Sequence, residues 1–130
     1  MNKTIRQTVG IGAPPKRVFE ALINEKKHAA FTGNPATISR KPGTAFTCYG
    51  GYLTGFNLEV VAPKRIVQAW RSKGWPAGTY SIVTFALSGS RGGGTRLSFT
   101  QVGVPAFDVK AKSAGWRTHY WKPLKAYLEK

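Results

Sequence analysis

The stretch DVKAKSAGWRTHYWKPLKAYLEK, residues 108–130, decides the fold. Within it Val109, Ser113, Trp116, Tyr120, Leu124 and Tyr127 recur every three or four residues, which sets them on one partly aromatic stripe of a helix. Asp108 stands in the first turn, and Lys125 and Lys130 near the last, as the macrodipole prefers. Pro123 removes one backbone hydrogen bond, so a kink is expected near Lys122. Gly115, directly before Trp116, is expected to let the helix approach its packing partner closely. A stripe this broad must be buried, and its partner has to come from the rest of the chain.

That partner is a sheet. Thr4 to Ile11 alternates Ile5, Val9 and Ile11 against Thr4, Arg6 and Thr8, the pattern of a strand with one wet side. Pro14 and Pro15 then open a short amphipathic helix carrying Val18, Phe19, Leu22 and Ile23. Asn24 caps a second, Glu25 to Phe31, which Gly33-Asn34-Pro35 ends. From Ala36 to Val102 the spacing predicts strands at 36–40, 45–49, 52–61, 65–72, 79–88 and 95–102. Each separator carries the Gly or Pro of a tight reversal, which implies an antiparallel meander. Gly55, inside a strand, marks a bulge or a close backbone approach. The Gly-rich loop 89–94 joins two strands and opens no helix, so it reads as a hairpin rather than a phosphate cradle. The fold class is α+β: a curved antiparallel sheet of about seven strands wrapped around the C-terminal helix.

A length of 130 residues is that of one domain, 1–130, and no repeat or linker interrupts it. No run is long and apolar enough to span a bilayer, and the N-terminus lacks a secretory signal's apolar stretch. The single cysteine, Cys48, forms no internal disulfide, and a cytoplasmic protein is expected. Twenty Lys and Arg against five Asp and Glu give a formal charge of +15, which favours polyanions or acidic protein faces. The bases are scattered, so any nucleic-acid binding is expected to be non-specific and strongly salt-dependent.

The catalytic inventory is thin. His28 and His119 fall in no nucleophile motif, and one Cys with two dispersed His suggests no metal site. No catalytic residue, metal ligand or cofactor is assigned. His119 should be partly exposed, Glu59 outward and solvated, and Cys48, alternating with Phe46, a buried small hydrophobe with an inert thiol. The aromatic residues say more. If the strand faces that carry Phe46, Trp70, Phe85 and Phe99 look inward, they converge with Trp116 and Tyr120, with Gln68 and Gln101 as polar groups among them. An apolar pocket with a few directed polar groups is what a small-ligand site looks like. A filled core, each glutamine satisfied internally, is the other reading.

The ordered set Ala13-Pro14-Pro15, Val18-Phe19, Phe31-Thr32-Gly33, Gly50-Gly51, Glu59-Val60, Trp70-Arg71, Val83-Thr84-Phe85, Thr100-Gln101, Gly103-Val104-Pro105 and Gly115-Trp116 covers nearly the whole chain. In this it resembles the START-like (SRPBCC, helix-grip) superfamily, and within it the family named after the C-terminal domain of the activator of the heat-shock protein 90 ATPase. The resemblance implies a β-α-α-β6-α order with a cavity between sheet and helix. It does not imply one activity; the leading expectation is a non-enzymatic binding domain that holds a small apolar ligand or docks on a protein partner, for which the resemblance suggests a heat-shock protein 90 type chaperone. An acid–base enzyme using Tyr120, His119 or Glu59, and charge-driven polyanion binding, are the alternatives.

Overall fold

A computed structural model of the chain describes residues 2–129. Strand β1 (Asn2–Ile11) is followed by helices α1 (Pro15–Ile23) and α2 (Glu25–Thr32), then by β2 (Ala45–Cys48), β3 (Leu53–Val61), β4 (Arg65–Ser72), β5 (Ser81–Gly89) and β6 (Thr95–Pro105). The last helix comes in three pieces: α3 (Val109–Gly115), a π-helical segment (Trp116–Trp121) and α4 (Lys122–Leu128). The strands form one antiparallel sheet in the order β1-β6-β5-β4-β3-β2. The two helices after β1 carry the chain from one edge of this sheet to the other.

The sheet has six strands, not seven. The expected strand at 36–40 is reduced to a single bridge between Thr37 and Thr47. Its backbone groups find side chains instead of a ladder. Ile38 N–H donates to Glu25 Oε1 at 3.0 Å, and Ser39 C=O accepts from Asn57 Nδ2 at 2.7 Å. At the other end β6 outruns expectation: it passes Gly103 (φ 92°) and pairs Val104 and Pro105 with Lys3 and Asn2.

Gly55 is a close approach rather than a bulge; the register shift lies further on, between Asn57 and Glu59. A side chain at Gly55 would project onto the Ala69 carbonyl oxygen and to 2.8 Å from the Phe46 ring. Asn24 caps α2 by accepting from Lys27 N–H at 3.1 Å, as its position predicts.

The last helix departs from a regular α-helix, and Pro123 is next to the departure. Proline has no N–H to offer the His119 carbonyl one turn back, and that carbonyl accepts the Tyr49 hydroxyl instead. Lys122 N–H reaches five residues back, to Arg117 O. The wide turn carries an extra residue and turns both Tyr120 and Trp121 inward, where a regular period would bury only the first. Buried positions are therefore Trp116, Tyr120, Trp121, Leu124 and Leu128, while Val109, Ser113 and Tyr127 are half-buried. Lys130 lies outside the described residues.

Gly115 is not needed for a close approach of the helix to the sheet. A methyl group there would meet only His119 Cδ2, at 3.8 Å, and no atom of the sheet. Glycine at this position leaves open space beside the helix.

A candidate binding pocket

Most of the space between sheet and helix is filled. Phe99 and Trp116 lie 4.3 Å apart by ring centroids, Trp116 and Tyr120 4.6 Å, and Trp116 and Trp121 5.4 Å in a stacked arrangement. Phe85 packs on Phe99, Trp116 and Trp121 in edge and tilted contacts. Phe46 is buried further along the sheet, 2% exposed.

Both glutamines are satisfied inside this core. Trp116 Nε1 donates to Gln101 Oε1 at 2.7 Å, Gln101 Nε2 to Ser81 Oγ at 2.9 Å, and Ser81 Oγ to the Trp70 carbonyl at 2.9 Å. Gln68 Nε2 donates to Asn57 Oδ1 at 3.0 Å. A third glutamine, unforeseen in the sequence, ties the helix to β1: Gln7 Oε1 accepts from Trp121 Nε1 at 2.6 Å while its Nε2 donates to Ser113 O. Among the described residues no buried side-chain polar atom lacks a partner. Such networks fix a single packing of the core.

A second polar group sits under the helix. His28 Nδ1 lies 3.0 Å from the Leu22 carbonyl, so it carries the proton, and Nε2 accepts the Tyr120 hydroxyl at 3.2 Å. Burial pushes the His28 pKa down from 6.5 to about 4, partly offset by the Leu22 carbonyl. Burial raises the Tyr120 phenol well above its ordinary range, with Cys48 and Tyr49 adding to the effect. The sign of the pH dependence follows. Below pH 6.5 the unfolded chain protonates His28 while the folded chain resists until about pH 4, so stability falls as pH drops through that window. We expect a loss of about 3 kcal/mol by the lower end. Urea unfolding of the parent and of His28→Gln at pH 7.5 and 4.5 checks this: parallel losses in the two proteins would rule His28 out as the cause.

Cys48 is 3% exposed, and burial pushes its thiol up to about 12, the nearby Tyr120 hydroxyl pulling the other way. It should resist a thiol reagent at neutral pH until the protein is unfolded. Stoichiometric labelling of the native protein within minutes would contradict the packing of β2.

The open space lies at one side of this core. A pocket of about 490 Å³ is bounded by Tyr49, Tyr52, Leu53 and Trp70 from the β2–β4 end of the sheet and by Ala111, Lys112, Gly115, Trp116, His119 and Tyr120 from the helix. A second, of about 510 Å³, shares Tyr49 and Tyr52 and is otherwise bounded by Gly50, Gly51, Thr54, Arg71 and Lys73. Of the eight residues expected around a cavity, Trp70, Trp116 and Tyr120 border the first pocket. Phe46, Gln68, Phe85, Phe99 and Gln101 lie in the core. His119 is exposed on the pocket rim, and Glu59 is half-exposed and paired with Arg65. Sequence reasoning missed Tyr49, Tyr52 and Trp75. Trp75 stands in a Gly/Pro turn, yet it is buried against Trp70 at 5.6 Å and donates to Asp108 Oδ2 at 2.7 Å. A tryptophan in such a turn was itself a signal, since so large an apolar area is seldom left in water.

Among the described residues that line the two pockets there is no carboxylate to orient a base beside a nucleophile. Among the described residues no three His, Cys, Asp or Glu side chains gather as a metal site requires. Nor is any helix among them long and apolar enough to cross a membrane.

Comparison with known proteins places this geometry in a family. Residues 12–129 match the family described as Activator of Hsp90 ATPase homolog 1-like protein. The activator of 90 kDa heat shock protein ATPase homolog of Dictyostelium discoideum is 28% identical over 123 residues, 95% of this chain and 32% of that protein. Homolog 1 of Homo sapiens is 29% identical over 111 residues, 85% of this chain and 32% of that protein. The chain thus spans about a third of the length of these curated relatives. The crystal structure of an HSP90 activator from Plasmodium falciparum shares the fold, with a TM-score of 0.90 at 22% identity over 97% of this chain and 96% of that one. A protein of Chromobacterium violaceum superposes with a TM-score of 0.80 at 26% identity, covering 100% of this chain and 99% of that one. The chain belongs to the Activator of Hsp90 ATPase homolog 1-like family.

Proposed function

We propose that the chain is a non-catalytic binding domain that docks on a heat-shock protein 90 type chaperone in the cytosol through the outer face of its sheet. The observation that carries this is a row of apolar side chains on the face that points away from the helix. Phe56, Ala69, Ile82 and Val102 are cross-strand partners on β3, β4, β5 and β6. Phe56, Ile82 and Val102 are 43%, 40% and 52% exposed, and Tyr80, 6.2 Å from Phe56, extends the row. A contiguous apolar patch of this kind is a feature of interaction surfaces. Arg6, Arg71 and Arg96 sit on the same face, and with a formal charge of +15 they favour an acidic partner. The relatives named as activators of a 90 kDa heat-shock protein ATPase support the choice of partner. The test is the chaperone's ATPase rate with increasing amounts of this chain. A saturable rise supports the reading, and an unchanged rate together with no complex on gel filtration would overturn it.

A second reading rests on the pocket between Trp70 and the helix. Its volume lies within the roughly 300–1,000 Å³ of small-molecule sites, and its walls are largely aromatic. In this reading the domain holds a small, largely apolar ligand there. Native mass spectrometry of freshly purified protein would show the ligand as retained non-protein mass.

A further inference from the structure

The two pockets that meet at Tyr49 and Tyr52 differ in chemistry. The first is walled by Trp70, Trp116 and Tyr120, the second by Arg71, Lys73 and the backbone of Gly50 and Gly51. No acidic residue lines either one. The five Asp and Glu side chains are engaged away from the second pocket: Glu20 with Arg40, Glu59 with Arg65, Asp108 with Lys112 on the first pocket's helix side, Glu25 on Ile38 N–H and Glu129 on Gly12 N–H. The cations of the second pocket are therefore uncompensated. Arg71 is also held in place, donating to the carbonyls of Trp75, Pro76 and Thr79 and lying 5.9 Å over the Tyr80 ring. A guanidinium so fixed loses little side-chain freedom when an anion arrives.

The turn that the two pockets share is strained. Tyr49 has φ 52°, a left-handed conformation costly for a bulky residue, and Gly50 and Gly51 follow at 64° and 95°. The Tyr49 hydroxyl is anchored on the π segment through the His119 carbonyl. Strained backbone and π turns both concentrate at ligand sites, and here they meet at one wall.

We propose that the two pockets hold one amphipathic anion bent over the 49–52 turn at the end of the sheet: on the helix side its apolar body lies against Trp70, Trp116 and Tyr120, and on the outer side its carboxylate, sulfonate or phosphate faces Arg71 and Lys73. This deepens the ligand-holding reading and depends on it. Gly115 gives a clean way to close the site. A side chain there points into open space, its nearest neighbour being His119 Cδ2 at 3.8 Å, and the residue is helical, so Gly115→Leu should fold.

The experiment is a fluorescence titration with two dyes on one ring framework, anionic 8-anilinonaphthalene-1-sulfonate and neutral N-phenyl-1-naphthylamine. The sulfonate is expected to bind about tenfold tighter. Lys73→Ala should cut that preference about threefold, whereas Lys3→Ala, on the far edge strand, should leave it intact. Gly115→Leu should weaken both dyes. Equal affinities for the two dyes, or equal effects of the two lysine substitutions, would overturn the anion inference and leave the pocket standing. Failure of both dyes to bind, or binding indifferent to Gly115→Leu, would overturn the ligand-holding reading itself and the inference with it.

Discussion

Trp116→Ala is expected to destabilise the domain by about 3–5 kcal/mol, the cost of removing a large aromatic from a close-packed core. Trp116 is only 3% exposed although one side of it borders the pocket, and its ring contacts Phe85, Phe99, Trp70, Tyr120 and Trp121. Its truncation also strips Gln101 Oε1 of the indole N–H. That leaves a buried acceptor unpaired, a further about 1–3 kcal/mol unless water enters from the pocket. Against a total stability of about 5–15 kcal/mol the variant would be marginal. Trp116→Phe helps to separate the two contributions, since it removes the donor while keeping most of the ring packing. Urea unfolding of the three proteins should rank them parent, Phe, Ala. A cost near zero for Trp116→Ala would mean that the helix is not packed as described.

Gly55→Ala should be nearly as damaging for a change of one methyl group. The added carbon has nowhere to go: it projects onto the Ala69 carbonyl oxygen of the neighbouring strand and crowds the Phe46 ring. The obstacle is backbone, so no rotamer change relieves it, and β3 would have to shift away from β4. We expect about 3 kcal/mol, the upper part of the range for overpacking. Lower melting temperature with an unchanged far-ultraviolet spectrum would agree with this. A melting temperature equal to the parent's would show that the two strands are further apart than the register requires.

Most of the fold was legible because the two periodicities are clean. Period two along β1, β4, β5 and β6 and the three-four spacing of Trp116, Tyr120 and Leu124 each point to one buried face. The seventh strand was overread because the residues at 36–40 have strand-like chemistry, while Glu25 and Asn57 take over the hydrogen bonds a ladder would use. Both side chains are distant in sequence, so no local pattern reveals them. The proline at 123 located the irregularity in the helix, but not that an extra residue would be absorbed and Trp121 turned inward.

The pocket was less legible than the core. The inward faces of β4 to β6 were read correctly, yet inward residues such as Phe85 and Phe99 pack on Trp116 and Trp121 and leave no room between them. The space lies instead where the 49–52 turn meets Gly115, and both features are small or irregular stretches with no period to read. The apolar outer row was hidden for a related reason. Phe56, Ile82 and Val102 stand at positions that alternation assigns to water, and only the register across four strands shows them to be neighbours.

The most direct test of docking through that row is titration calorimetry of a heat-shock protein 90 type chaperone with the parent chain and with Ile82→Asp. Ile82 is 40% exposed, and a change at its surface position should leave the fold intact by circular dichroism. The account predicts saturable binding by the parent at physiological salt and about tenfold or greater weakening in the variant. Equal binding by the two proteins would place the docking surface elsewhere, and no binding by either would contradict the account.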